Sequence, residues 1–529
     1  MPALTRRRFV EAGLSAAALG LGAAQSEGSG TAGVAPNEPP ASPSGAVNYA
    51  FTHDPRFPLG GYLPESPGTP KTIREPARDI PVLAECDVAV FGGGPAGVCA
   101  AAAAARAGKR VVLVERHGCM GGVSTVAWVN TIHTLYGTDR KTKVIGGLPE
   151  EFLRRLQRMK ALYNHAKDGE TGDWSIDCES AKFAWDDIAV GSGVRLAFHT
   201  WLAGAVRDGR RITAALVESK SGRQAIVAET YIDCTGDADL VRHAGGATHV
   251  GNAEGKCQAP TLVFRVGDRG EGAVSLGKVQ SELFKTPMDY NGQKYPCFLW
   301  GNRGVWNPSE QMMAGTRVVN VNAAEGPDLT RAELEARYQL RWILGRLRTM
   351  PGYEKAYLVD IAAQIGVRET HRILAEHTLT REEVLEGKTF PDTIAQGTYP
   401  VDIHSPDSPG IRFEYLDGTS KTVAGDASST TGRWDGQPAG SPKRKALCWS
   451  APFSTLVPRD FDNVLVAGRC LGADHAAAGA VRVMINCMQF GQAAGTAAAM
   501  LRGGANVREV DAAKLRAALK EAGAPLRDA

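Results

Sequence analysis

Apolar and polar positions divide the chain into segments of different character. From Cys86 the sequence passes through a short apolar strand, Val88 to Phe91, a glycine-rich turn, an Ala-rich stretch of helical length, and a second apolar strand, Val111 to Val114. Continuous apolar runs separated by a helix predict strands buried on both faces of a parallel sheet, a βαβ unit. Between Val194 and Asp233 the runs VRLAFHTWLAGAV, ITAALVES and GRQAIVAETYID read as strands of a meander that returns to that sheet. Asn463 to Cys470 predicts another buried strand, ending in glycine, and Val481 to Leu501 a helix so dense in Ala and Gly that another backbone can approach it closely. Amphipathic spacing predicts a long helix around Arg331 to Arg348. Ile145 to Glu151 opens a further helix, through about Lys160, with Pro149 and two acids at its favourable amino end. Residues 25 to about 80 carry Pro, Gly, Ser and Ala without any period and read as a linker.

These elements predict an α/β protein. A Rossmann-like nucleotide-binding domain occupies 81–250, with a mixed α+β substrate or cap domain inserted at 251–450; the first domain resumes over 451–505, and 506–529 form a C-terminal helix or tail. At 529 residues the chain exceeds one ordinary core. The formal charge of +3 is small, and no basic run interleaved with aromatics follows the first ten residues, so nucleic acid is not an expected partner. Thr5-Arg6-Arg7-Arg8-Phe9 precedes a short Ala/Gly-rich run and resembles a twin-arginine export signal over residues 1–30, followed by a surface arm at 31–80. Glu11 and the shortness of the run argue against stable membrane insertion, while Gly22 and Ala24 suit cleavage. A periplasmic or secreted protein, exported folded by the twin-arginine machinery, is the expectation. Ten cysteines form no CxxC pair and no zinc spacing, so no metal is expected, and Cys86, Cys99 and Cys234 fall in predicted core.

The chemistry concentrates at Gly92-x-Gly94-x-x-Gly97. The first glycine permits the tight turn, the second lets backbone approach a pyrophosphate, and the third lets helix pack on strand. Glu115, about twenty residues on, stands where a carboxylate accepts ribose hydroxyls, and Pro95 and Ala96 begin the helix whose amides and dipole favour an anion. Gly121-Gly122 with Ser124 and Thr125 supply flexible backbone and hydroxyls just beyond. Thr235-Gly236-Asp237, at the end of a strand, marks the same sheet edge.

With these pieces, GGGPAG (92–97), DCTGDADL (233–240), GVRETHRI (366–373), YPVDIH (399–404) and the stretch from Asn463 to Ala499, the chain resembles FAD-dependent oxidoreductases of the glutathione-reductase-like type, in particular an often secreted bacterial subgroup. The resemblance implies FAD held by Gly92, Gly94, Gly97, Glu115 and Arg116 at its ADP half. Leu202 would edge the adenine, and Gly122 and Thr125 would flank pyrophosphate and ribitol. Thr235, Gly236 and Asp237 would form a second contacting turn, with Gly468 and Arg469 on the ribitol side. Many relatives carry an acid where this chain has Arg469, so a carboxylate contact to ribitol is not expected here. The helix from about Val483 would direct amides toward the flavin N1/C2 edge.

Flavin carries hydride, so the protein must supply orientation and a proton acceptor for a small organic substrate oxidised at a CH–OH or CH–CH centre. His404 and His475 are the candidate bases. Arg368 and Arg482 are candidates to clamp a carboxylate or stabilise an oxyanion, or else to pair with Glu369 or Asp474; Tyr399 and Asn486 are candidate substrate hydrogen bonders. His117 and Cys119 fall where some flavoproteins tether FAD covalently. Oxygen, a quinone or a periplasmic carrier would reoxidise the flavin, since no haem CxxCH, iron-sulfur set or second GxGxxG follows. A non-redox flavoenzyme (lyase or isomerase) and a catalytically inactive flavin-binding protein are the rival readings.

Overall fold

A computed structural model of the chain describes residues 72–527 apart from 167–171, 286–287, 291–292, 296–298 and 425–427. The export-signal segment 1–30 and the arm up to residue 71 lie outside the described residues. The central sheet is built from β1 (Val82–Phe91), β2 (Val111–Val114), β3 (Arg195–Ala197), β4 (Trp201–Asp208), β5 (Arg211–Ser219), β6 (Gly222–Asp233) and β7 (Val464–Val466). Its order is β3-β2-β1-β6-β5-β4, with β7 also on β6. β1, β2, β3, β6 and β7 run parallel, whereas β4, β5 and β6 form the antiparallel meander.

β6 changes partner along its length. Its first half pairs with β5, Ile226 opposite Ala215, and its second half with β7, Tyr231 opposite Val464. Asn463 bridges the switch: its amide exchanges hydrogen bonds with Ile212 and donates to the Glu229 carbonyl. Phe91 is in register with Val114 and Asp233, and Asp233 with Val466, so four strands deliver their carboxyl ends at one level. Val88 and Val90 enter one core and Ala89 and Phe91 another on the opposite face, as the unbroken apolar pattern requires.

The stretch between β6 and β7 has two characters. Residues 262–365 have a core of their own, in which three antiparallel strands pack with α2 (Gly326–Leu347); α1 (Pro95–Arg106) follows β1. α2 starts five residues before the expected Arg331, because Pro327 and Asp328 open its first turn. Leu379, Val384, Ile394, Val401 and Trp449, by contrast, pack into the same core as α1.

The predicted helix Val481 to Leu501 is present, beginning three residues later than expected, and a separate short helix precedes it. α3 (His475–Val481) ends and α4 (Met484–Met500) begins across Val483, whose φ of −68° and ψ of 152° are extended. The β-branched Val481 and Val483 disfavour continuation, and the Asn486 amide and Cys487 thiol take the Ala480 and Arg482 carbonyls that the break releases. α4 then crosses α1 at backbone contact. A Cβ at Gly491 would lie 2.0 Å from the Ala96 carbonyl oxygen, and one at Gly495 2.0 Å from that of Ala100.

Candidate active site

A cavity of about 450 Å³ follows the carboxyl edge of the sheet from Glu115 and Trp201 to Tyr399, His404 and Arg482. The three motif glycines have three distinct physical reasons. Gly92, at φ +94°, turns the chain where a Cβ would meet the Cys234 carbonyl at 2.4 Å. Gly97 is where the helix rests on the turn, with 1.8 Å from a Cβ to the Gly92 oxygen. At Gly94, the residue that caps α1, a Cβ would meet no atom within 4 Å and would project into open space. Gly94, Pro95 and Ala96 line the cavity; Gly97 lies behind them. α1 carries no acid in its first turn, so its amino end keeps its affinity for an anion.

Glu115 is buried and fixed by backbone. One carboxylate oxygen accepts from Gly93 N (2.7 Å), the other from His117 N (2.8 Å), and each retains a lone pair toward the cavity edge. Beside it Arg116 lies over the Trp201 ring at 5.2 Å and donates to Gln364, and Leu202 continues the wall. His117 belongs to this end, hydrogen-bonded to Gln364 at 2.9 Å, with its imidazole pushed down by burial. Cys119 and Thr125 are off the wall. The Thr125 hydroxyl donates to the Met120 carbonyl and so holds the loop, while Gly122 lines the cavity.

The second turn is anchored by Asp233, which accepts from the amides of Thr235, Leu240 and Val241. Thr235, Gly236, Gly468 and Arg469 reach the wall. Asp237 turns away to pair with Arg469 and to accept from the Thr370 hydroxyl at 2.6 Å. Burial opposes its ionisation, and Arg469, the Thr370 hydroxyl and Arg116 together hold the carboxyl below its ordinary range. Asp239, which the sequence reading did not single out, also lines the cavity; burial and then Asp237 and Asp233 push it up to about 6.

At the far end Asp402 organises the polar groups. It accepts from Tyr399 Oη (3.0 Å) and Arg482 (3.2 Å), and its other oxygen stands 3.3 Å from His404 Nε2. His404, in the strand Val401–His404, is 5% exposed. Burial and Arg368 push its imidazole well below the ordinary value, so it is neutral, with a free ring lone pair, and a weaker base than an exposed histidine. Arg368 donates to the Ala259 carbonyl (2.6 Å) and Thr261 Oγ1 (2.8 Å). Neither Arg368 nor Arg482 pairs with Glu369 or Asp474. Asp474 caps α3, and Glu369 is taken by Arg372 and His475.

That last pairing moves His475 off the cavity wall, its Nδ1 2.9 Å from Glu369, so the two candidate histidines are separated: His404 faces the cavity, and His475 is part of a buried ion cluster. Asn486 is likewise a helix-break residue off the wall. His133 and Asp173, 2.8 Å apart, do line it, and the His133 ring meets that of Tyr399 edge-on at 5.2 Å. Forty residues separate that pair in sequence, with no local motif to find them by.

The donor set fits FAD. Gly94 leaves open space at a helix amino end, an anchored carboxylate faces the same edge, and α4 presents Val483 and Met484 at the opposite end. Arg469 Nε, Arg482 Nε, His404 Nδ1 and Asp402 Oδ1 are buried without a hydrogen-bond partner. Among the described residues no cluster could hold a metal ion, and no helix is long and apolar enough to cross a membrane.

A family model described as FAD dependent oxidoreductase matches residues 87–519. No curated protein matches in sequence. Solved structures with similarity include a geranylgeranyl bacteriochlorophyll reductase-like protein from Thermoplasma acidophilum (13% identity, 83% of each chain, TM-score 0.41). A flavin-dependent brominase (12%, 83% of each, 0.42) and an aromatic hydroxylase from angucycline biosynthesis (13%, 56% of this chain and 54% of that one, 0.34) are similar at the same level. With the match running from β1 to α4 and beyond, across every segment of the cavity, the chain belongs to the FAD-dependent oxidoreductase family and is an enzyme whose cofactor is FAD.

Proposed function

We propose that this flavoenzyme is a dehydrogenase or oxidase that removes hydride from a CH–OH or CH–CH centre of a small organic substrate, with His404 taking the proton. FAD, when bound, would supply the two-electron acceptor. Gly92, Gly94, Glu115, Leu202, Gly236, Gly468 and Val483 would hold the cofactor in an arrangement of the glutathione-reductase type, for which the β3-β2-β1-β6-β7 order and the meander argue. The observation that carries the reaction is the Asp402–His404 pair. Asp402 faces Nε2 and favours the tautomer with its proton there, which leaves the buried, unpartnered Nδ1 as the accepting atom. Tyr399 and Arg482 hold Asp402 in place, and the apolar wall limits competing water. Oxygen, a quinone or a carrier protein would take the electrons onward. The twin-arginine-like Thr5 to Phe9 supports export to the periplasm or beyond.

The test is anaerobic mixing of FAD-loaded protein with alcohols, sugars and hydroxy acids. Bleaching of the flavin band by a donor, slowed in His404→Gln at unchanged FAD content, is the expected result. Conversion of substrate to a product of the same oxidation level would overturn the proposal.

A further inference from the structure

The cations at the His404 end outnumber the anions that face them. Arg368 and Arg482 both line the cavity, yet Asp402 is the one carboxylate they share, and it binds Arg482. Among the described residues no carboxylate lies within 4.0 Å of Arg368, whose contacts are a carbonyl and the Thr261 hydroxyl. Thr261 Oγ1 also accepts from the fully buried Arg317 at 2.5 Å, so two guanidinium groups meet at one hydroxyl. Burial, Arg317 and Arg482 all disfavour the charged form of Arg368. A guanidinium does not shed its proton in a protein, so such a group calls for an anion instead. Arg482 Nε, buried and unpartnered, adds a donor without an acceptor. Thr131 and the His133–Asp173 pair add polar groups to the wall, and its apolar part is Val263, Trp300, Ala314, Ile365, Ile411 and Phe413.

From this imbalance we infer that the substrate is a monocarboxylate with an apolar body, its carboxylate held by Arg368 and Arg482 and its body against Trp300 and Phe413. A carboxylate is planar and accepts forked N–H pairs, which a neutral alcohol or a sugar cannot match. One carboxylate beside Asp402 also offsets the excess of guanidinium charge at Arg317, Arg368 and Arg482, and an apolar body suits Trp300 and Phe413 better than a second charge would. This inference rests on the dehydrogenase reading for its chemistry, but its binding test does not.

The test is a spectral titration of the oxidised holoenzyme with matched probes: benzoate against benzamide, and phenylacetate against phenylacetamide. The acids should perturb the flavin bands saturably and the amides should not. Arg368→Gln should weaken benzoate roughly tenfold or more, and Arg368→Lys less, at equal FAD content and melting temperature. Amides binding as tightly as acids would overturn the inference. So would unchanged benzoate affinity in Arg368→Gln together with a lowered flavin midpoint potential, which would assign the cations to the reduced flavin. Bleaching by neutral alcohols without any carboxylate binding refutes the anion site and leaves the dehydrogenase reading standing. Saturable benzoate binding with no donor of any class reducing the flavin supports the site and refutes that reading.

Discussion

Gly94→Ala and Gly97→Ala separate binding from folding at two positions three residues apart. At Gly94 the backbone sits at φ −69° and ψ −177°, which alanine adopts freely, and the added methyl meets no protein atom within 4 Å. The apoprotein should therefore keep its stability or gain up to about 1 kcal/mol from a less flexible unfolded chain. The methyl fills the space at the α1 amino end through which a pyrophosphate reaches the backbone. Losing one amide-to-phosphate hydrogen bond costs about 1.5–3 kcal/mol, roughly a ten- to hundredfold rise in the Kd for FAD. At Gly97 the same methyl would stand 1.8 Å from the Gly92 oxygen, and since both partners are backbone, helix and turn must separate. Overpacking of this kind costs about 1–3 kcal/mol or more, so this variant loses stability with or without cofactor. The assay is thermal unfolding of both apoproteins with fluorescence titration by FAD. Gly94→Ala binding FAD within about twofold of the parent, or melting as low as Gly97→Ala, would refute the assignment of the two glycines.

Three further outcomes follow from the same geometry. His404→Gln should slow anaerobic flavin reduction by roughly 10²- to 10⁴-fold while retaining FAD, whereas His475→Gln, off the cavity wall, should chiefly lower the melting temperature by leaving buried Glu369 with one partner fewer. Since His404 must be neutral to act and burial with Arg368 keeps it so, the acid limb of kcat/KM should fall below the ordinary histidine value of about 6.5; Asp402→Asn, which removes the anion that raises His404, should move the limb lower still. Asp239, pushed up to about 6, becomes anionic above that pH beside Asp237 and Asp233 and opposes a bound phosphate, so FAD affinity should weaken as pH rises through about 6, by at most roughly tenfold per unit, and Asp239→Asn should flatten that dependence in an equilibrium titration.

The nucleotide sheet was legible because its signals are local. Val88 to Phe91, the glycine turn and Val111 to Val114 specify strand, turn and strand within thirty residues; the second strand falls where its apolar run placed it, and the first ends there after starting six residues earlier at Val82. The start of α4 near Val483 was legible, whereas the short α3 before it was not, and the carbonyls released between the two are satisfied by Asn486 and Cys487, which read equally well as ordinary helix residues. The partition of 251–450 was hidden for a related reason. Leu379 to Trp449 carries the same apolar patterns as 262–365, and only the three-dimensional packing sends one set to its own core and the other to α1.

At the site, residue type was legible and pairing was not. His404 and His475 are equivalent in sequence, each following an acid closely; what separates them is that Glu369, more than a hundred residues before His475, closes on one ring and not the other. Arg469 makes the same point in reverse. Taken alone it is a cation where relatives carry an acid, which reads as a lost contact. In the fold it stands against Asp237 of the second turn, itself fixed by Thr370, so the carboxylate paired at this level of the sheet edge comes from the turn after β6 rather than from the end of β7. Because that carboxylate is spent on the arginine, the group facing the cavity is a guanidinium with a buried, unpartnered Nε. At Arg469 the sheet edge thus presents a donor where many relatives carry an acid, and a donor at that place favours a phosphate oxygen over a sugar hydroxyl as its partner.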